Sequence, residues 1–237
     1  MQPRETLSDA VKYPWADGDA GVTLVVGGIL TLLSPLLVPG VFVVGYGLRV
    51  VEATMDGREH PPGFGDPGAL LATGLRGTVV LLAYVALPLL VGFAAVVAVG
   101  TAVGRPMPGD VFVPLRRGLF SGGLLFVLVF LLAGLVLVVA YLAPAALVHL
   151  GRTRRLGAAF AFGDVRRLAG ADSYGAAWLL ALAVFAAAGV VLAVLNAAAI
   201  GVVVSGFVTF YAFVAMAHLY ASGAGAAGFE IDAPTAE

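Results

Sequence analysis

The chain contains no cysteine. That excludes disulfides, thiolate metal sites and a cysteine nucleophile, and it leaves the redox compartment unmarked. Charge is scarce: 11% of residues are charged, where a soluble protein carries about 25%. Lysine occurs once, at Lys12, against twelve arginines, and three scattered histidines offer no triad or zinc spacing. P-loop, H-E-x-x-H and G-x-S-x-G patterns are all missing. The charge that does occur lies outside the centres of the apolar runs, as expected where one at mid-membrane costs at least about 2.5 kcal/mol.

What is present is hydrocarbon. Hydrophobic residues make up 61% of the 237, and the mean hydropathy is +1.03. They gather in four blocks, 21–51, 70–103, 119–150 and 175–220. Each exceeds the roughly 20 residues that cross a bilayer core, so the fold class is all-α, a polytopic transmembrane helical bundle. The first block is no signal peptide, because an acidic segment precedes it and no A-x-A cleavage site follows. The expected organisation is a polar N-terminal tail over 1–20, one membrane domain over 21–222 and a flexible acidic tail over 223–237.

Block length and proline placement set the number of helices at five or six. Block one, 31 residues, is about 46 Å as a single helix, too long for one perpendicular span. Pro35 and Pro39-Gly40 interrupt its middle, so it is either one broken helix or a hairpin. Blocks two and three read as long tilted spans containing Pro88 and Pro144. Block four holds two spans, with a hairpin turn near Asn196. With block one as a hairpin, ten Lys and Arg fall on one side of the membrane and three on the other. With a single span the division is eight to five. The positive-inside rule favours the hairpin and puts both termini in the cytoplasm.

Candidate functional groups are few. Arg49 and Glu52 lie three apart on one helical face and can pair, while Tyr46 suits an aromatic belt at the interface. The alternative is that the Arg49/Glu52 pair lines a polar cavity. The Pro/Gly stretch 60–68 reads as a surface or re-entrant loop. It brings His60, Glu59 and Asp66 near Asp56, metal-ligand types without the spacing of a known site. Asn196 is the polar point at the turn inside block four, and His149 and His218 lie near block ends. Arg152, Arg154, Arg155, Arg166 and Arg167 surround Leu156, Phe160, Phe162, Val165 and Leu168. That pattern suits an interfacial amphipathic helix meeting anionic lipid, or equally a plain cytoplasmic connector. Gly201-x-x-x-Ser205 and Gly118-x-x-x-Gly122 are patterns that let helices approach closely. Gly223-x-Gly225-x-x-Gly228 lacks the strand context of a dinucleotide site and reads as a linker.

The stretch 45–77, with G-Y-x-L-R-V-V-x-A-T-M-x-G, Pro61-Pro62, Phe64-x-Asp66 and Leu70-Leu71-Ala72-Thr73-Gly74-Leu75, resembles the membrane family called domain of unknown function 4013. Ala159-Phe160-x-Phe162-x-x-Val165-Arg166-Arg167 and Tyr174-x-x-x-Trp178 form a second, looser match. The resemblance spans about residues 13–222. It implies a multi-span bundle, common in haloarchaea, and supplies no activity, cofactor or catalytic residue. The excess of arginine over lysine and the acidic tails fit such a source.

Three functional readings follow. The first is a non-enzymatic component of the cytoplasmic membrane, or a subunit of a membrane assembly, with lipids, other membrane proteins or a second copy as partners. It uses no cofactor, metal or nucleic acid. The second is a small transporter with a polar cavity near the broken first block; the lack of buried charge counts against ion coupling. The third, a membrane enzyme, requires His60, Asp56, Glu59 and Asp66 to converge with Arg49.

Overall fold

The computed structural model describes residues 3–16, 19–104, 113–197 and 201–228. Among them there is no strand. The helices are α1 (Pro3–Lys12), α2 (Ala20–Leu32), α3 (Val38–Met55), α4 (Pro67–Gly104), α5 (Val113–Thr153), α6 (Phe162–Ala169), α7 (Asp172–Ala197) and α8 (Gly201–Ala226). Five of them have stretches long and apolar enough to cross a membrane, in α3, α4, α5, α7 and α8; α2 is apolar but has only 13 residues. The acidic tail beyond 228, the connector 105–112 and the turn 198–200 after Asn196 lie outside the described residues.

The chain forms two compact units, Met1–Val80 with Pro144–Glu237, and Leu81–Ala143. In the larger one, α8 is the central element, packed by α1, α2, α3 and α7. Block one is a hairpin. Gly28 meets Phe207 near the start of α8, whereas Leu24 shares a groove with Tyr211 and Ala212 further along, so α2 runs antiparallel to α8. Tyr46 packs on Phe210 and Thr54 on His218, so α3 runs parallel to it. The turn between them is a 3-10 segment, Ser34–Leu36, beginning at the residues that flank Pro35. Leu37 follows with φ 66°, a conformation that L-residues avoid. Proline supplies the break here because Pro35 cannot donate to the preceding turn. Pro88 and Pro144, by contrast, lie inside continuous helices.

Close backbone approach holds these helices together. A Cβ on Gly206 would stand 2.4 Å from the Gly28 carbonyl, and one on Gly74 would stand 2.0 Å from that of Val41. In hydrocarbon, where apolar side chains gain little by leaving lipid, such contacts drive association. The glycines used are therefore not all those expected. Gly201 and Ser205 lie at the start of α8, but a Cβ on Gly122 would meet nothing within 4 Å. Tyr46, Phe210, Leu70, Val80 and Leu219 fill the core.

The smaller unit is a helical pair, the later part of α4 and the earlier part of α5, in contact where Gly92 faces Leu132. Its described surface is apolar: Leu89, Leu90, Phe93, Phe126 and Phe130 are each about two-thirds or more exposed. Such a surface is compatible with a helix in lipid.

Candidate functional site at the polar end of the larger unit

One end of the larger unit gathers nearly every described polar contact between elements. There the C-termini of α3, α5 and α8 meet the N-termini of α4 and α7. The chain's first described helix meets its last at the same place.

Three contacts tie the end of α3 to other segments. The Arg49 guanidinium donates to the backbone carbonyls of Gly65 and Asp66. Glu52 pairs with Arg154, and Asp56 accepts from Arg152 at 2.9 Å and from Arg58 at 3.2 Å. Arg49 and Glu52 therefore do not pair with each other. Their shared face looks across to different neighbours: Arg49 bonds the end of the adjoining loop, and Glu52 a partner 102 residues away. Arg154 is placed for its role by the end of α5, where it takes φ 55° and its N–H bonds to Leu150.

Tyr46 is not an interfacial belt residue. It is fully buried, its ring stacked on Phe64 at 4.5 Å and tilted against Phe210 at 5.2 Å. Flanking Gly45 and Gly47 let α4 and Phe213 close around it. The loop 56–66 is thus folded back, with Phe64 inserted and its end clamped by Arg49. Asp66 caps α4, its carboxylate accepting from the Ala69 N–H at 3.1 Å.

The possible metal-type cluster does not assemble. Asp56 faces arginines, Asp66 caps a helix, and His60 donates from Nδ1 to the Ala16 carbonyl at 2.8 Å. No group of three or more metal-ligating acidic or histidine side chains occurs among the described residues. Asn196 sits exposed at the far end of α7, where its Oδ1 approaches Gly201. It shares no site with Arg49 or Glu52.

The arginine connector divides. All five are exposed, but Arg152 and Arg154 are paired with Asp56 and Glu52 at the end of α3, whereas among the described ion pairs Arg167 joins only Asp164 one turn away at 3.4 Å and Arg155 and Arg166 join none. In α6, Val165 and Leu168 turn inward and Phe162 is 67% exposed.

A polar cavity of about 500 Å³ opens at this end, between α1, the tip of α3 and the last turns of α8. At its base the Tyr13 and His218 rings stack with centroids 4.1 Å apart. His218 Nδ1 is 2.9 Å from the Thr54 hydroxyl, and its Nε2 lies 3.5 Å from that of Ser222. Tyr13 donates to the His60 carbonyl at 3.2 Å, and burial raises its hydroxyl above the usual 10.0, against the smaller opposing effects of Thr54 and Arg58. Asp9, Lys12, Arg58 and Glu59 complete the lining. Sequence reasoning passed over this site because Thr54 and His218 are 164 residues apart. The one local signal was the aromatic run Tyr13-Pro14-Trp15 at the edge of the first apolar block.

The profile described as "Protein of unknown function (DUF4013)" matches residues 28–197, well over half the chain. The chain belongs to the DUF4013 family. No curated protein and no solved structure matches it. The match covers the Arg49 clamp, the Glu52 and Asp56 ion pairs and the arginine connector. Tyr13, His218 and Ser222 lie outside it, so the cavity combines a family segment with two segments flanking it.

Proposed function

We propose that this DUF4013 protein is a multi-pass, non-enzymatic component of the cytoplasmic membrane, or a subunit of a membrane assembly. Its polar end and both termini face the cytoplasm, and its connector grips anionic lipid headgroups. The observation that carries the reading is the connector's surface. Arg155, Arg166 and Arg167 are exposed beside Leu156, Phe160 and Phe162, themselves 40%, 37% and 67% exposed. Exposed cations next to exposed apolar groups suit the boundary between headgroups and acyl chains. The outer face of α7, with Leu179, Phe185, Val190 and Val194 exposed, suits lipid or a second membrane helix. Lipids, other membrane proteins or another copy are the partners this surface fits, and a haloarchaeal source fits the composition.

The permease reading draws less support. Pro39 and Asn196 lie toward the end opposite the polar cavity, and the fully buried Tyr46 and Phe210 lie between. The enzyme reading loses its proposed cluster.

Lipid retention tests the proposal. Purified in mild detergent and analysed by mass spectrometry, the chain should carry anionic phospholipid. The triple variant Arg155→Gln, Arg166→Gln, Arg167→Gln should lose most of it, while Arg152→Gln with Arg154→Gln should keep it. Equal retention by both variants would sink the headgroup reading. For topology, the cysteine-free chain needs no background engineering. Single cysteines at Gly57, Gly157 and Gly225 should all react with an impermeant maleimide only from the cytoplasmic side.

A further inference from the structure

The cavity between α1, the tip of α3 and the end of α8 has a charge pattern that none of the readings above uses. Two cations and two anions line it: Lys12 and Asp9 from α1, Arg58 and Glu59 from the loop after α3. The ion pairs among the described residues join Asp56 to Arg58 and Arg152, Glu52 to Arg154, and Asp164 to Arg167. Lys12, Asp9 and Glu59 are in none of them, and Arg58 shares its acid with a second arginine. Four formal charges of both signs thus face one cavity of about 500 Å³ without neutralising one another.

The ligand class follows from complementarity. A lone anion would meet Asp9 and Glu59 as well as its cationic partners, and a lone cation would meet Lys12 and Arg58. Each therefore pays a like-charge penalty that discriminates against it. A group carrying both charges a few bonds apart meets all four favourably. The base adds the Ser222 hydroxyl and the imidazole of His218, whose Nδ1 is taken by Thr54 and whose Nε2 has only a long 3.5 Å contact to Ser222. These can hydrogen-bond the anionic oxygens, while the stacked Tyr13 and His218 rings form an apolar wall.

We infer that this cavity binds a zwitterionic group, an ammonium linked by a short chain to a phosphate, with Asp9 and Glu59 receiving the ammonium and Lys12 and Arg58 the phosphate. The group is available as a lipid headgroup or as a small solute. The cavity's place at the polar end of the membrane helices is compatible with either.

The test uses the full chain, labelled with 15N-histidine, in lipid nanodiscs. His149 serves as an internal reference because it does not line the cavity. In nanodiscs of phosphatidylglycerol alone, adding phosphoethanolamine should shift the His218 imidazole resonances saturably if the source is a solute. If only a headgroup presented at the surface can enter, the shift should appear on changing to nanodiscs containing phosphatidylethanolamine and not with the soluble compound. In either case Asp9→Asn with Glu59→Gln, both at exposed positions, should weaken the response at least tenfold with the unfolding temperature unchanged. An equal response to inorganic phosphate alone, or to ethanolammonium alone, would overturn the zwitterion assignment. So would silence of His218 in both arms, or an undiminished response in the double variant.

Discussion

Thr54 and Asp56, two residues apart, should respond very differently to substitution. The Thr54 hydroxyl meets His218 Nδ1 at 2.9 Å in a partly buried setting. Thr54→Val keeps the shape and strands the imidazole nitrogen, which should cost about 1–3 kcal/mol. Asp56 is 40% exposed and pairs with arginines that are 35% and 54% exposed. Asp56→Asn should cost well under about 1 kcal/mol, since solvent-screened pairs contribute little. Thermal unfolding in one detergent compares the two; a larger loss for Asp56→Asn would contradict the burial argument. Tyr13 supplies a pH signature. Because burial raises its hydroxyl above 10.0 in the folded state, the unfolded segment ionises first as pH rises. The stabilisation is whole below about pH 10 and is lost as pH climbs through the folded value, so docking of α1 should weaken in that alkaline window. Tyr13→Phe keeps the ring stack and should abolish the alkaline step, which absorbance at 295 nm and proteolysis of the N-terminal segment would register.

At the level of elements, backbone proximity matters more than side-chain volume. Gly74→Ala places a Cβ 2.0 Å from the Val41 carbonyl, and Gly206→Ala places one 2.4 Å from that of Gly28. Neither obstacle is a flexible side chain, so the helices themselves must part, at a cost of about 1–3 kcal/mol or more. Gly189→Ala, in open space on α7, should instead be neutral or stabilise by up to about 1 kcal/mol through helix propensity. Equal destabilisation by all three would show that close packing is not the determinant. The hairpin turn carries its own strain: Leu37 holds φ 66° while 79% exposed. Leu37→Gly should therefore raise stability by about 1 kcal/mol, the left-handed penalty removed, with unfolding temperature as the measure.

Across the whole molecule, the all-helical fold, the long apolar helices and the division of block four into two packed helices were legible from block length, proline and charge. So was the preference for a hairpin in block one, which the α2, α3 and α8 contacts bear out. The functional groups were less legible. Arg49 and Glu52 were both found at the polar end but bonded to different partners. Tyr46 moved from an expected interfacial belt to the core, because two neighbouring glycines let other elements enclose it. The five connector arginines, all exposed, separated into two that pair with acids at the end of α3 and three that do not. Spacing cannot distinguish these, since one helical face can look toward protein or lipid.

Hydrocarbon content alone determined that the chain is a set of helices long and apolar enough to span a membrane, because an unpaired backbone in lipid leaves no other all-local solution, and proline placement determined where the first block turns. Tertiary structure decided which polar groups meet. Tyr13, Thr54 and His218 come from the start, the first quarter and the end of the chain, and no local pattern encodes a cavity whose walls are joined only when α1 and α3 pack against α8. The periodicities of a helix report its own faces, whereas the partner each face receives depends on contacts hundreds of bonds apart.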